Sequence, residues 1–224
     1  MNVLVVAAHP DDEVLGVGGT IARLTGEGAD VTILILGEGA TSRQSGQDQA
    51  ADVEALAGQA REAGRLLGAK EVVCKGLPDN RFDTLPLLDV VKIVEEWVDR
   101  VSPETVYGHH AGDLNVDHEV AARAVLTATR PQAGSVVRDV FAFEVPSSTE
   151  WSFHRLSPPF HPNVYVDITG TLEKKIAALR TYEGEARLFP HPRSPESLRA
   201  IAARWGTVAG VTAAEAFELV RSVR

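Results

Sequence analysis

An open, mostly parallel α/β sheet with helices on both faces, folded as a single domain, is the architecture this sequence predicts. Three observations carry it. Short valine-rich apolar runs recur along the first half of the chain. Each is followed by a longer stretch with helical spacing, the alternation of a parallel α/β sheet. The chain has 224 residues, a length that suits one domain with a full core.

Residues 3–8 form a continuous apolar run, the pattern of a strand buried on both faces. The stretch 14–27 reads as a helix with Leu15, Ile21 and Leu24 on its apolar side. Residues 31–36 repeat the buried-strand pattern, and 49–67 make a helix rich in alanine and leucine. A short strand is expected at 72–74, a helix at 87–101, a strand at 105–107 and a helix at 116–129. The second half is less regular. Strands are expected at 136–143 and 164–168, separated by a long loop with Pro146, Pro158, Pro159 and Pro162. A helix at 171–182 has Thr169 or Thr171 as its cap. Pro190, Pro192 and Pro195 then break the chain, and helices at 195–205 and 213–220 end it. No internal repeat and no interdomain linker is apparent, so residues 1–224 are read as one domain.

Composition narrows the function. Lys and Arg number 22 against 31 Asp and Glu, a formal net charge of −9. Such an acidic chain lacks the basic footprint that nucleic acid or an anionic lipid surface requires. Cys74 is the single cysteine, which excludes an internal disulfide and a cysteine-based zinc finger. A reducing cytoplasm fits. No apolar run approaches the ~20 residues of a membrane helix, and the N-terminal run reads as a first strand, not a signal peptide. A homo-oligomer is compatible with the sequence.

In open α/β sheets the ligand crevice lies beyond the carboxyl ends of the strands. His9-Pro10-Asp11-Asp12-Glu13 follows the first expected strand, and Arg43 lies on the loop after the second. Asp79, Asn80 and Arg81 follow the third. The fourth is followed by His109-His110-Ala111-Gly112-Asp113-Leu114-Asn115-Val116-Asp117-His118, and the fifth by Glu144-Val145-Pro146-Ser147. Four of the seven histidines thus fall on one rim. A hydrolytic zinc site takes three His or Asp/Glu ligands and keeps one position for water. His9 and Asp12 can supply two from one turn, and His118 the third. Imidazole with carboxylate suits zinc or iron. Asp11 is placed to take the proton of a metal-bound water. The plainer reading of the first segment is an acidic turn with an Asp helix cap. Arg43, Asn80, Glu144 and Trp151 are candidates to line a substrate pocket. Gly16, Gly18 and Gly19 depart from the dinucleotide-loop spacing and read as close helix packing.

The segment Ala8-His9-Pro10-Asp11-Asp12-Glu13 after an N-terminal strand, with the His109–His118 run about a hundred residues on, resembles the PIG-L/LmbE-like family of zinc-dependent N-deacetylases. The likeness extends to Leu36-Gly37-Glu38-Gly39, Leu77-Pro78-Asp79, Glu144-Val145-Pro146, Asn163-Val164-Tyr165-Val166-Asp167-Ile168 and Leu172-Glu173-Lys174-Lys175, and so to nearly the whole chain. It implies a Rossmann-like fold and hydrolysis of an acetamido group on an N-acetylglucosamine-type small molecule. It implies one Zn²⁺ per chain on His9, Asp12 and His118, with Asp11 as general base and Asp117 behind the ligands. In one respect the chain departs: thiol-biosynthesis members carry His-Pro-Asp-His where Asn115-Val116-Asp117-His118 stands here. Asn115 can donate a hydrogen bond but cannot act as an acid, which leaves His110 or His109 for that role. The alternatives are an amidase or deformylase acting on a non-sugar amide, and a non-catalytic nucleotide-binding module.

Overall fold

The computed structural model describes residues 1–40, 49–156 and 158–224. Among these, seven strands build one mixed sheet: β1 (Asn2–Ala7), β2 (Asp30–Gly37), β3 (Glu71–Leu77), β4 (Thr105–His109), β5 (Asp139–Phe143), β6 (Val164–Asp167) and β7 (Ala214–Ser222). Six α-helices accompany them: α1 (Asp12–Gly26), α2 (Gln49–Leu67), α3 (Leu87–Val101), α4 (Val116–Ala128), α5 (Leu172–Leu179) and α6 (Pro195–Ala209). The sheet order is β3-β2-β1-β4-β5-β7-β6. The first five neighbours run parallel, and β7 is antiparallel to both β5 and β6.

Alternating side chains of β1 explain why its run is apolar throughout. Val3, Val5 and Ala7 pack with α1, α2 and α5, whereas Leu4 and Val6 pack with α3 and α4 on the opposite face. This period of two, buried on both sides, is the expected signature of a central parallel strand. β1 lies between β2 and β4. The chain leaves β1 toward β2 and β3, then crosses back to β4 on the other side. That reversal opens a crevice at the carboxyl ends of β1 and β4.

The expected open, mostly parallel α/β sheet is therefore present, but the chain end is not helical. Residues 213–220, rich in Ala and Glu and expected to form a terminal helix, lie in β7 from Ala214 onward. Phe217 is fully buried and packs against Tyr107 and Phe141, with centroids 5.1 and 6.3 Å away. The Glu215 carboxylate is also buried, accepting Gly19 N–H at 2.9 Å and Thr20 N–H at 2.7 Å. Pairing with the open edge of β5 overrides helix propensity here. The strand expected from residue 136 begins at Asp139, and α5 stops at Leu179, short of residue 182. Gly16, Gly18 and Gly19 lie inside α1. A Cβ on Gly16 would collide with the Phe143 ring and one on Gly19 with Ile168, so these glycines serve close packing.

Candidate active site

β1 passes straight into α1 through His9, Pro10 and Asp11. Asp11 adopts φ 102°, ψ −27°, a conformation that costs a residue with a side chain on the order of 1–3 kcal/mol. The turn is held locally. His9 N–H donates to Asp12 Oδ2 at 2.8 Å, and Asp11 N–H donates to Glu13 Oε2 at 3.1 Å. Although Asp11 stands at the N-cap of α1, its side chain makes no capping bond. The acidic-cap reading therefore fails. At α4 the cap is real: Asn115 Oδ1 accepts Asp117 N–H at 2.9 Å, fixing the turn that carries Asp117 and His118.

His9, Asp12 and His118 are all buried, and one atom of each lies within 4.8 Å of the others. Asp12 Oδ2 is 3.4 Å from His9 Nδ1 and 3.3 Å from His118 Nε2. A tetrahedral centre with bonds of about 2.1 Å spaces its ligands by about 3.4 Å. The outer imidazole nitrogens face carboxylates from behind. His9 Nε2 lies 2.9 Å from Asp117 Oδ2 and 3.3 Å from Asp79 Oδ1, and His118 Nδ1 lies 3.1 Å from Asp113 Oδ2. Asp12 Oδ1 is buried with no hydrogen-bond partner among the described residues, an expensive arrangement unless a cation serves it. His9, Asp79 and Asp117 also lie close enough to hold an ion, but there the histidine and Asp117 already satisfy each other. The donor set thus fits a metal on His9, Asp12 and His118.

The electrostatics follow from burial and pairing. Burial opposes charge on His9, but Asp117 and Asp12 outweigh it and raise its pKa to about 9. Burial likewise opposes charge on His118, and Asp12 and Asp113 raise it to about 10. Burial favours the neutral carboxyl of Asp12, yet His118, His9 and His109 together hold its pKa well below the usual value. Loading an ion must therefore release protons from the histidines. Burial and the neighbouring His118 push His109 down to about 3. His109 Nε2 accepts Ala8 N–H at 2.8 Å, and the ring stacks on His118 at 4.1 Å. It is a wall of the site, not an acid.

The remaining expected site residues have mixed fates. Asp11 is 2% exposed, and its Oδ2 accepts from Arg193 Nη1 at 2.7 Å. Asn115 Nδ2 donates to Asn80 Oδ1 at 3.0 Å, joining two rim residues. Asp117 lies behind His9, its other oxygen accepting Phe82 N–H at 2.9 Å. His110 is a correction. Its Nδ1 is 2.7 Å from Glu218 Oε2 and its Nε2 is 2.9 Å from the Pro158 carbonyl, so neither nitrogen remains for a substrate. Glu144 is another: its carboxylate accepts from Trp205 Nε1 at 2.6 Å and ties down α6. Trp151 is 40% exposed and meets His191 edge-on at 5.5 Å. Arg43 lies outside the described residues.

Sequence reading missed three contributors. Asp113 stood in the motif without a role, yet it backs His118 and accepts from Ser148 Oγ and Thr149 Oγ1. Its distance of five residues from His118 was the available signal. Arg193 and Glu185 gave none, lying in a Pro-rich stretch far along the chain from Asp11.

Comparison with known proteins places these observations in a family context. A family model described as GlcNAc-PI de-N-acetylase (PIG-L) matches residues 4–129. Diacetylchitobiose deacetylase from Thermococcus kodakarensis is 28% identical, over 99% of this chain and 84% of that protein. 4-Oxalmesaconate hydratase from Pseudomonas putida is 30% identical, over 85% of this chain and 76% of that protein. The crystal structure of the conserved protein TT1542 from Thermus thermophilus superposes with a TM-score of 0.78 at 26% identity, covering 100% of this chain and 96% of that one.

Proposed function

The chain belongs to the GlcNAc-PI de-N-acetylase (PIG-L) family, and from that membership we propose that it hydrolyses the acetamido group of an N-acetylglucosamine-type small molecule. The products are acetate and the free amine. Residues 1–224 act as one deacetylase domain. The ion is Zn²⁺, one per chain, on His9, Asp12 and His118. When bound, it lowers the pKa of a coordinated water to about 7 and polarises the amide carbonyl.

The chain's own residues do the rest. Asp113 and Asp117 orient the two imidazoles and raise their basicity. Asp11 takes the proton of the attacking water. With both His110 nitrogens engaged elsewhere and His109 neutral in the wall, Asp11 in its acid form returns that proton to the departing amine. Asn115, bonded to Asn80, presents an amide edge at the rim for the substrate. No helix among the described residues is long and apolar enough to cross a membrane. The free thiol of Cys74 supports a reducing compartment, the cytoplasm.

One observation carries the reading. Asp12 Oδ1 is buried without a partner, beside two imidazoles whose outer nitrogens face carboxylates. The likeness to a hydratase supports a second reading, water addition to a carbon–carbon double bond at the same site. The test is metal analysis of chelator-free protein, then assays of amine release from acetylated sugars, nucleotide sugars and simple amides, and of hydration of an unsaturated oxo-tricarboxylate such as 4-oxalmesaconate. About one metal per chain and amine release from an acetylated hexosamine are expected. Both should vanish on chelation and return with zinc. Hydration without amine release selects the second reading, and protein that neither holds nor takes up metal rejects both.

A further inference from the structure

Asp11 needs more than its own turn to hold its carboxylate in place. Its backbone sits in a conformation that side chains rarely adopt, and α1 takes no capping bond from it. Among the described residues, Arg193 reaches it from 182 residues away along the chain. One nitrogen, Nη1, donates to Asp11 Oδ2 at 2.7 Å and to Glu185 Oε2 at 3.1 Å. Nε donates to Ser147 Oγ at 2.7 Å. The guanidinium thus joins three separate segments: the β1–α1 turn, the loop after β5, and the stretch between α5 and α6. Glu185 is 4% exposed, and the Arg193 side chain is 17% exposed. Arg193 is itself anchored, because Ser194 caps α6 with its side chain accepting Ser197 N–H at 3.0 Å, and Pro195 opens that helix.

We propose that Arg193 is a positioning residue for the deacetylation reaction, fixing the Asp11 carboxylate through a guanidinium braced by Glu185 and Ser147. The proposal rests on Asp11 being the general base. A planar, always-charged fork can bond three acceptors in one geometry, which a lysine ammonium on a flexible stem cannot reproduce. A carboxylate pinned this way keeps one rotamer, so the water's proton is transferred along a fixed line. Glu185 gives the guanidinium a second anionic partner, so Asp11 need not carry the whole ion pair.

Two experiments test this, and only one depends on turnover. The first is the crystal structure of Arg193→Gln. The Asp11 carboxylate should leave its position while His9, Asp12 and His118 stay in place. An unmoved Asp11 carboxylate overturns the proposal whatever the substrate is. The second is kinetic and begins with wild-type amine release, whose absence from every acetylated substrate would count against the functional reading alone. Arg193→Gln should lower kcat by about 10–100-fold, the usual range for a residue supporting a functional one. KM should change less than about three-fold, and bound metal should not change. Adding guanidinium should restore part of kcat, and Arg193→Lys should remain impaired. In an Asp11→Asn background, Arg193→Gln should cost nothing further, since groups acting as a unit are not additive. A merely structural arginine predicts additive losses, no guanidinium rescue and a lowered Tm, and that pattern would reject the role. If Arg193→Gln does not fold, Arg193→Lys carries the same comparisons.

Discussion

Asp11 and Asp12 are adjacent, chemically identical and almost equally buried, yet their environments divide them. Asp12 faces two imidazoles and leaves one oxygen open, whereas Asp11 faces a guanidinium. Removing each charge should therefore have different consequences. Asp11→Asn keeps the ligands and should retain metal and fold, while losing about 10²–10⁴-fold in rate, the usual worth of a positioned base. Asp12→Asn removes the one charged member of the proposed ligand set and should empty the site. Turnover, bound zinc and Tm measured on both variants separate the two residues. An Asp11→Asn protein of near wild-type rate with zinc in place would remove the base from the mechanism.

At the level of elements, α1 is the scaffold of the site, and a buried ion pair is built into its flank. Lys175 on α5 donates to Leu15 O at 2.8 Å and to Glu215 Oε1 at 2.6 Å. Glu215 on β7 in turn takes the N–H groups of Gly19 and Thr20. One pair thus fastens α1 to α5 and to the antiparallel strand. Lys175→Met would leave the carboxylate buried without its cation, a loss of about 3–5 kcal/mol in comparable cases. The two backbone donors should hold the cost near the lower bound. Urea unfolding should show a lower midpoint with an unchanged slope, and a loss under about 1 kcal/mol would mean the pair does not fasten α1. The loop after β5 also supports the site. Ser148 and Thr149 bond Asp113, so replacing 144–163 wholesale would disturb support for His118 as well.

Across the whole molecule, pH acts through groups buried against their charge. Glu144 is the clearest away from the proposed metal ligands. Burial raises its pKa to about 7, although the Trp205 hydrogen bond and the Lys175 charge favour the anion. In the unfolded chain it titrates near 4.5. Between those values the folded state binds the extra proton, so stability falls as pH rises through that interval. The penalty is absent below about pH 4.5, complete above about pH 7 and on the order of 3 kcal/mol. Glu144→Gln keeps an acceptor for Trp205 without a charge. It should match wild type near pH 4 and exceed it in stability at pH 8 by up to that amount. Equal stability of the two proteins at pH 8 would contradict the assignment.

The layered sheet, the crevice at its carboxyl edge and the three candidate ligands were legible in the residue pattern. These depend on local quantities: apolar runs with a period of two, helical spacing, and donors placed just past strand ends. His9 and Asp12 share one turn, and His118 sits in the first turn of the helix expected at 116–129. Tertiary structure decided the remainder. It paired Asp117 with His9, engaged His110 with Glu218, and moved Glu144 onto Trp205. It also made a strand of the Ala- and Glu-rich end and brought Arg193 to Asp11. Each of these depends on which distant segments the packed sheet brings together. Neither propensity nor spacing encodes such pairing, because its free energy arises only when the partners are buried side by side.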